Sequence, residues 1–323
     1  MRAVWKHVLA GVGLFTCAGA AAASAQQGDQ WPIVGRWDLT VASGDTSFPS
    51  WLEVQRSGNH ALVGRFVGRV GSARPIANIA LNGNSFRFAI PPQWESGNDD
   101  LRVEGTIAGE QLSGTLTEPD GARRTWTATR APALRRVVAP VWGTPIALFD
   151  GRNMSAWKPF AGESQWSVVN GVLTNAKGGA NLATRQTFAD FKLHLEFRYP
   201  KNGNSGVYLR GRYEAQIEDS DGLEPSSNHL GGIYGFLPPN VDAARKPGVW
   251  QTYDITLVGR LVSVVLNGRP VITEQEIPGI TGGALDSNEG MPGPIFLQGD
   301  HGPVEYRNIF IRPARSPAGK SVP

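Results

Sequence analysis

Apolar and polar residues alternate in short runs along most of the chain, and Gly, Asn and Asp separate the runs. A period of two puts successive side chains on opposite faces of an extended strand. In the first part such runs fall at 51–55, 61–66, 76–81, 85–90, 101–107, 111–117 and 124–129, after an opening Val34-Gly35-Arg36-Trp37. The separators are tight-turn sequences: Ser57-Gly58-Asn59, Asn82-Gly83-Asn84, Ala108-Gly109-Glu110 and Asp120-Gly121. Regular short strands joined by tight turns predict an antiparallel meander, closed as a small barrel or folded as a sandwich. We read residues 31–130 as a small all-β accessory domain, with Trp37, Trp51, Trp94 and Trp126 in its core. Residues 131–143 carry Ala and Pro without a period and read as a linker, with Arg135 and Arg136 solvated. A second set of runs follows at 166–169, 172–175, 181–184, 191–199, 207–210, 213–218, 251–258, 261–266, 271–276, 295–298 and 304–312. Asn170-Gly171 and Asn267-Gly268 are hairpin turns. Only 240–246 reads as a short turn of helix. The fold class is therefore all-β: a C-terminal two-sheet jelly-roll sandwich over 144–314, preceded by the meander or barrel and followed by a flexible tail at 315–323.

The richest stretch is 202–219, NGNSGVYLRGRYEAQIED. Parity puts Tyr208 and Arg210 on one side of the first strand, and Glu214 and Gln216 on one side of the second. The same reasoning sends Leu193, Leu195 and Phe197 inward, and His194, Glu196 and Arg198 to the open side. It places Trp250, Thr252 and Asp254 on an open side too. A late loop adds Gln298, Asp300 and His301. Several segments thus offer polar groups to what reads as one ligand-binding face.

Charge and leader narrow the class. The chain has 323 residues and a formal net charge of +3. Setting Arg2 and Lys6 aside with the leader leaves 29 basic against 28 acidic side chains, from 31 and 28 in the whole chain. No basic surplus exists to drive phosphate contacts, which argues against a nucleic-acid partner. Residues 1–25 read as a secretory signal peptide: a basic start, a short apolar run, and Ala23-Ser24-Ala25 as the cleavage site. This predicts a periplasmic or secreted protein. No other stretch is long enough to span a bilayer. Phe15 and Thr16 before Cys17 argue against a lipid anchor. Cys17 is the sole cysteine, and cleavage after Ala25 removes it, so disulfides, thiolate metal sites and cysteine nucleophiles are excluded from the mature chain.

The segments LFDGRNMSAWKP, ADFKLHLEFRYPKNGNSGVYLRGRYEAQIEDS, GGIYGFLPP, KPGVWQTYDI and LQGDHGPVEYRNIFIRP occur in that order between Pro145 and Pro313. Together they resemble the 3-keto-disaccharide hydrolase domain family, which has a concanavalin A-like lectin/glucanase fold. The resemblance implies an exported enzyme that cleaves glycosides carrying a ketone at C3, with an oligosaccharide or glycoside as partner. A C3 ketone acidifies the hydrogen at C2. Removing it allows the group at C1 to leave by β-elimination, and water then adds. Such a site needs a base, an acid and a group that stabilises the oxyanion. The candidates are Glu214 and His301 for base and acid in either order, and Arg210 for the enolate. For binding they are Asn204, Tyr208, Gln216, Glu196, Trp250 and Gln298. The chemistry requires no cofactor. A divalent metal at the C3 oxygen is an alternative, with Glu196, Glu214, Asp219 and His301 as ligands, although their spacing fits no metal motif. Two other readings stay open: an ordinary glycoside hydrolase with paired carboxylates, and a carbohydrate-binding protein of the same fold without catalysis.

Overall fold

In the computed structural model of the protein, residues 31–315 are described, and every regular element among them is a β-strand. The expected signal peptide and cleavage site, and the expected tail beyond Arg315, lie outside the described residues. The first strands are β1 (Gly35–Ser43), β2 (Thr46–Ser57), β3 (Ala61–Val67), β4 (Arg74–Ile76) and β5 (Ala80–Asn82). Then come β6 (Ser85–Ile90), β7 (Leu101–Ala108), β8 (Gln111–Thr117) and β9 (Arg123–Arg130). They form one antiparallel sheet in the order β4-β3-β2-β1-β9-β8-β7-β6-β5. Its two edge strands are neighbours in the chain, and β4 comes close to β6, so the sheet curls round on itself. The seam explains one departure from the sequence reading. The single run expected at 76–81 is split between the two edges. Ile76 and Ile79 are both buried, at 1% and 3% exposure, and a spacing of three cannot belong to one strand of period two. Trp37, Trp51 and Trp126 are core residues as expected, but Trp94 is 68% exposed.

The later strands are β10 (Ile146–Phe149), β11 (Trp157–Phe160), β12 (Ser167–Val169), β13 (Val172–Asn175), β14 (Asn181–Thr184) and β15 (Phe191–Arg198). They continue with β16 (Asn204–Leu209), β17 (Tyr213–Glu218), β18 (Gln251–Val258) and β19 (Leu261–Leu266). The last are β20 (Arg269–Glu276), β21 (Phe296–Leu297) and β22 (Val304–Pro313). One sheet runs β12-β13-β22-β15-β18-β19-β20, with β10 also on β22; the other runs β11-β14-β21-β16-β17. Inward residues of β15, β18 and β22 (Leu193, Leu195, Phe197, Ile255, Leu257, Ile309) meet Val207, Leu209, Ala215 and Ile217 in one core. Each such side chain contributes about 1.5–3 kcal/mol on full burial, so this interleaving fixes the register of both sheets. No helix forms at 240–246. The segment is bound sideways instead: Asn240 N–H donates to Val271 O at 2.8 Å, and the Asn267 amide donates to Ala243 O at 2.8 Å.

The curled sheet and the sandwich share this core. Trp51 and Val67 belong to the same buried cluster as the sandwich residues, and Trp51 meets Phe236 edge-on at 5.3 Å. Of the two arginines between them, one is tied down by a buried partner and one is solvated. Arg136 bonds the buried Asp190 at 2.7 Å, whereas Arg135 is solvated as expected.

Candidate active site

The site grows from the hairpin of β16 and β17. Asn202 takes a positive φ of 58° and turns the chain into β16. The register then sets Asn204 opposite Glu218, Gly206 opposite Gln216 and Tyr208 opposite Glu214. Val207, Leu209, Ala215 and Ile217 go into the core, so Asn204, Tyr208, Glu214 and Gln216 share the outer face. Gly206 is required there by close approach. A Cβ at that position would lie 2.1 Å from Glu214 Oε1, so the missing side chain is the space in which the carboxyl sits. Loops then wall this face. The outcome is a pocket of about 490 Å³, lined by Asn181, Asn204, Tyr208, Glu214, Gln216 and Tyr234. Gly282, Gly283, Phe296, Gln298, Asp300 and His301 complete that side of it, and Val70, Gly71 and Trp94 come from the curled sheet. Larger hollows lie on β5–β8 and along 131–136, but neither contains a histidine.

Two titratable centres face each other in this pocket. Glu214 is 4% exposed. Burial pushes its carboxyl up to about 8, against the opposing pull of the Tyr208 hydrogen bond and the His301 charge. Tyr208 Oη lies 2.9 Å from Glu214 Oε2 and 3.0 Å from Gly282 O. Tyr208 carries one hydrogen, so it serves one acceptor at a time. With Glu214 ionised, Tyr208 donates to the carboxylate. With Glu214 neutral, the carboxyl donates to Tyr208 and Tyr208 donates to Gly282. Both protonation states of Glu214 therefore keep complete bonding.

The second centre is His301, whose Nδ1 lies 2.6 Å from Asp300 Oδ1. The hydrogen bond to Asp300 raises the imidazole above its usual value, assisted by the charges of Asp300 and Glu214 and opposed by burial. Asp300 is lowered, first by the bond from His301 and also by one from Asn181. The loop that carries the pair is clamped from β13 and β14. Asn175 Nδ2 donates to Gly299 O at 2.9 Å and to Gly302 O at 2.7 Å, and Asn181 Oδ1 accepts Gly299 N–H at 2.6 Å. Gln298 supplies an open acceptor: its Oε1 is buried and has no hydrogen-bond partner among the described residues.

Glu214, His301, Asn204, Tyr208, Gln216 and Gln298 thus converge, and three other predicted residues do not. Arg210 was assigned to the Tyr208 side by parity. But β16 ends at Leu209, and Arg210 has φ 55°, which reverses the direction of its side chain. It is 1% exposed, and its Nη2 bonds Tyr213 Oη at 2.9 Å and Gly259 O at 3.0 Å, away from the pocket. Glu196 lies on β15 of the other sheet, and Trp250 directly precedes β18 of that sheet. Glu196 bonds Arg307 at 2.7 Å and Asn308 at 2.7 Å, and the Trp250 ring lies 4.8 Å from the Arg198 guanidinium and 4.0 Å from that of Arg307. Parity gives the side of a strand, but a sandwich has two outer faces, and these residues are on the far one. The metal-ligand set is dispersed for the same reason. Glu196 lies on that far face, and Asp219 accepts Asn202 N–H at 2.8 Å in the turn. Among the described residues no group of three or more His, Asp or Glu is placed to hold a metal. The sequence reading missed Asn181, Tyr234, Phe296 and the whole wall from the curled sheet. Trp94 was the one of these with a visible signal, an aromatic in the polar run PPQWESGNDD.

Known proteins resemble part of the chain. A curated 3-keto-disaccharide hydrolase of Bacteroides thetaiotaomicron is 30% identical over 95 residues, which is 25% of this chain and 32% of that protein. The chain thus spans about a third of the curated relative it matches. A solved structure from Parabacteroides distasonis, provisionally described as a glycosyl hydrolase, is 32% identical, with a TM-score of 0.46 over 56% of this chain and 94% of that one. Another from the same organism, similarly described, is 27% identical, with a TM-score of 0.42 over 53% and 100%. Residues 144–312, which hold all of the pocket except Val70, Gly71 and Trp94, match the 3-keto-alpha-glucoside-1,2-lyase-like domain, and through them the chain belongs to that family.

Proposed function

We propose that this protein is an exported enzyme that cleaves the glycosidic bond of 3-keto-glycosides, 3-keto-disaccharides among them. The observation that carries the reading is the pairing of a carboxyl raised to about 8 with a His–Asp dyad across one pocket. Two titratable groups pushed in different ways by their surroundings suit separate acid and base roles. His301 is the base. Asp300 accepts from Nδ1, leaving Nε2 to take the hydrogen from C2. Charge then passes to the C3 oxygen as an enolate. Arg210 cannot serve it, and no Lys or Arg is among the residues lining the pocket. The amides of Asn181, Asn204, Gln216 and Gln298 and the Tyr234 hydroxyl are the available hydrogen-bonding groups. As the C1–O bond breaks, the Glu214 proton turns from Tyr208 to the departing oxygen and passes to it, and Tyr208 turns its hydrogen from Gly282 to the new carboxylate. Water added at C1, with a proton returned to C2, yields the free 3-keto sugar.

A second reading has one observation in its favour. Asp300 is lowered while Glu214 is raised, which is the charge arrangement of an ordinary glycosidase pair. Incubation with 3-keto-trehalose and with trehalose separates the two. Cleavage of the keto sugar alone is the expected result, and cleavage of unoxidised trehalose would overturn our reading. Export is tested by N-terminal sequencing of the mature protein, expected to start at Gln26.

A further inference from the structure

The pocket is not completed by the family domain. Val70 and Gly71, from the loop after β3, and Trp94, from the loop between β6 and β7, form its remaining wall. Both loops are tied into the site. Gly283 N–H donates to Arg69 O at 3.0 Å. A Cβ on Gly282 would meet Gly71 O at 2.2 Å, so the loop that accepts the Tyr208 hydrogen lies directly on the curled sheet.

Trp94 is the unusual member of this wall. Its ring is 68% exposed, yet its backbone is firmly fixed. The Glu95 carboxylate accepts Gln93 N–H at 2.8 Å and Trp94 N–H at 3.2 Å. Arg74, itself 8% exposed, grips the same carboxylate at 2.6 Å and 3.2 Å and donates to Pro91 O at 2.9 Å. Gln93 is bonded to Ser72 through both ends of its amide, at 3.1 Å and 2.9 Å. Gly71 has φ +88°, and a Cβ there would lie 2.8 Å from Trp94 Cδ1. Tyr234 lines the same pocket beside it. None of these backbone ties needs the indole ring. A part-buried ion pair therefore fixes the backbone beneath a large aromatic residue that stays open to solvent beside the catalytic groups.

We propose that Trp94 is the platform on which the leaving sugar stacks, so that the curled sheet, and not the family domain, selects glycosides with a ring-sized leaving group. The proposal rests on the glycoside reading above. The floor around Glu214 is polar and takes the keto ring through hydrogen bonds. Trp94 at the rim offers what the other ring needs, a flat apolar face for the C–H side of a pyranose. A volume of about 490 Å³ lies within the range of sites for ligands larger than a monosaccharide. Holding the indole in place beforehand removes the ordering cost of binding.

The test compares 3-keto-trehalose with methyl 3-keto-α-glucoside, which has the same keto ring and no second sugar. Wild type, Trp94→Ala and Trp94→Phe are assayed on both. We expect the ratio of kcat/KM, disaccharide over methyl glycoside, to fall about tenfold in Trp94→Ala, through KM, and to recover mostly in Trp94→Phe. An unchanged ratio, with both substrates losing equally or neither losing, overturns the assignment while the glycoside reading stands. Failure of the wild type to cleave either compound overturns that reading, and this proposal with it.

Discussion

The roles of Glu214 and His301 can be separated at the level of single atoms. An acid is needed only when the leaving oxygen is a poor leaving group. Glu214→Gln should lower kcat/KM for 3-keto-trehalose by about 10²–10⁴-fold. It should retain most activity on a nitrophenyl 3-keto-glucoside, whose phenolate leaves unaided. His301→Ala should be inactive on both. The reverse pattern would exchange the roles. The pH profile carries the same logic. In the proposed mechanism Glu214 works while protonated, so activity should fall as pH rises through about 8. In the same proposal His301 works while neutral, so the acidic limb should lie above the usual imidazole range, because Asp300 raises it. Asp300→Asn should move that limb to lower pH. Of this detail the sequence showed the residues but not their surroundings. Glu214, Tyr208 and Gln216 could be read from alternation. The burial that raises Glu214 comes from loops far away in the chain, and no local pattern encodes it.

At the level of elements, alternation was a good guide wherever a strand continued and a poor one where it ended. The β15–β18 and β16–β17 pairings follow from their apolar faces. Arg210 was misplaced because its own positive φ turns its side chain off the strand's alternation, and Glu196 and Trp250 because parity does not name the sheet. The β16–β17 hairpin also makes a clear prediction. Gly206→Ala leaves strand propensity intact but places a methyl carbon in the space of Glu214 Oε1. Activity should drop at least about a hundredfold, as expected when a catalytic group is displaced by about 1 Å. Circular dichroism should show the same β signal. Wild-type turnover in this variant would mean that Glu214 has room the structure does not show.

Taken as a whole, the molecule is held together by a buried polar connection as well as by the Trp51 contact. Asp38 on β1 is buried within reach of the charge of Glu289, which is 0% exposed and ion-paired with Arg260; Tyr213 Oη donates to Glu289 at 2.9 Å, and Arg210 bonds Tyr213. Burial first, and the Glu289 carboxylate second, push the Asp38 carboxyl up from 3.8 to about 9. Between these two values the folded protein keeps a proton that the unfolded chain has released. Unfolding therefore releases a proton in this window, and stability falls as pH rises through it. Asp38→Asn keeps the neutral form at all pH values. Its Tm should vary less between pH 6 and 9 than that of the wild type, with a gain of about 1–3 kcal/mol at the alkaline end. Thermal melts across that range decide the matter, and parallel curves for the two proteins would count against a protonated Asp38.

The seam of the curled sheet has a consequence beyond binding. Open edges of a sheet are templates on which other chains can add strands. Here both edges, β4 and β5, are three residues long, and the curl brings them to the same place. The closure is made by a side chain, with Arg74 on β4 reaching across to Pro91 and Glu95 beyond β6. We expect the arginine that fixes the Trp94 loop to guard against clumping as well. Arg74→Ala should form oligomers on concentration, visible by light scattering, before its melting temperature gives any warning. Stock that stays monomeric would show that the short strands are protection enough.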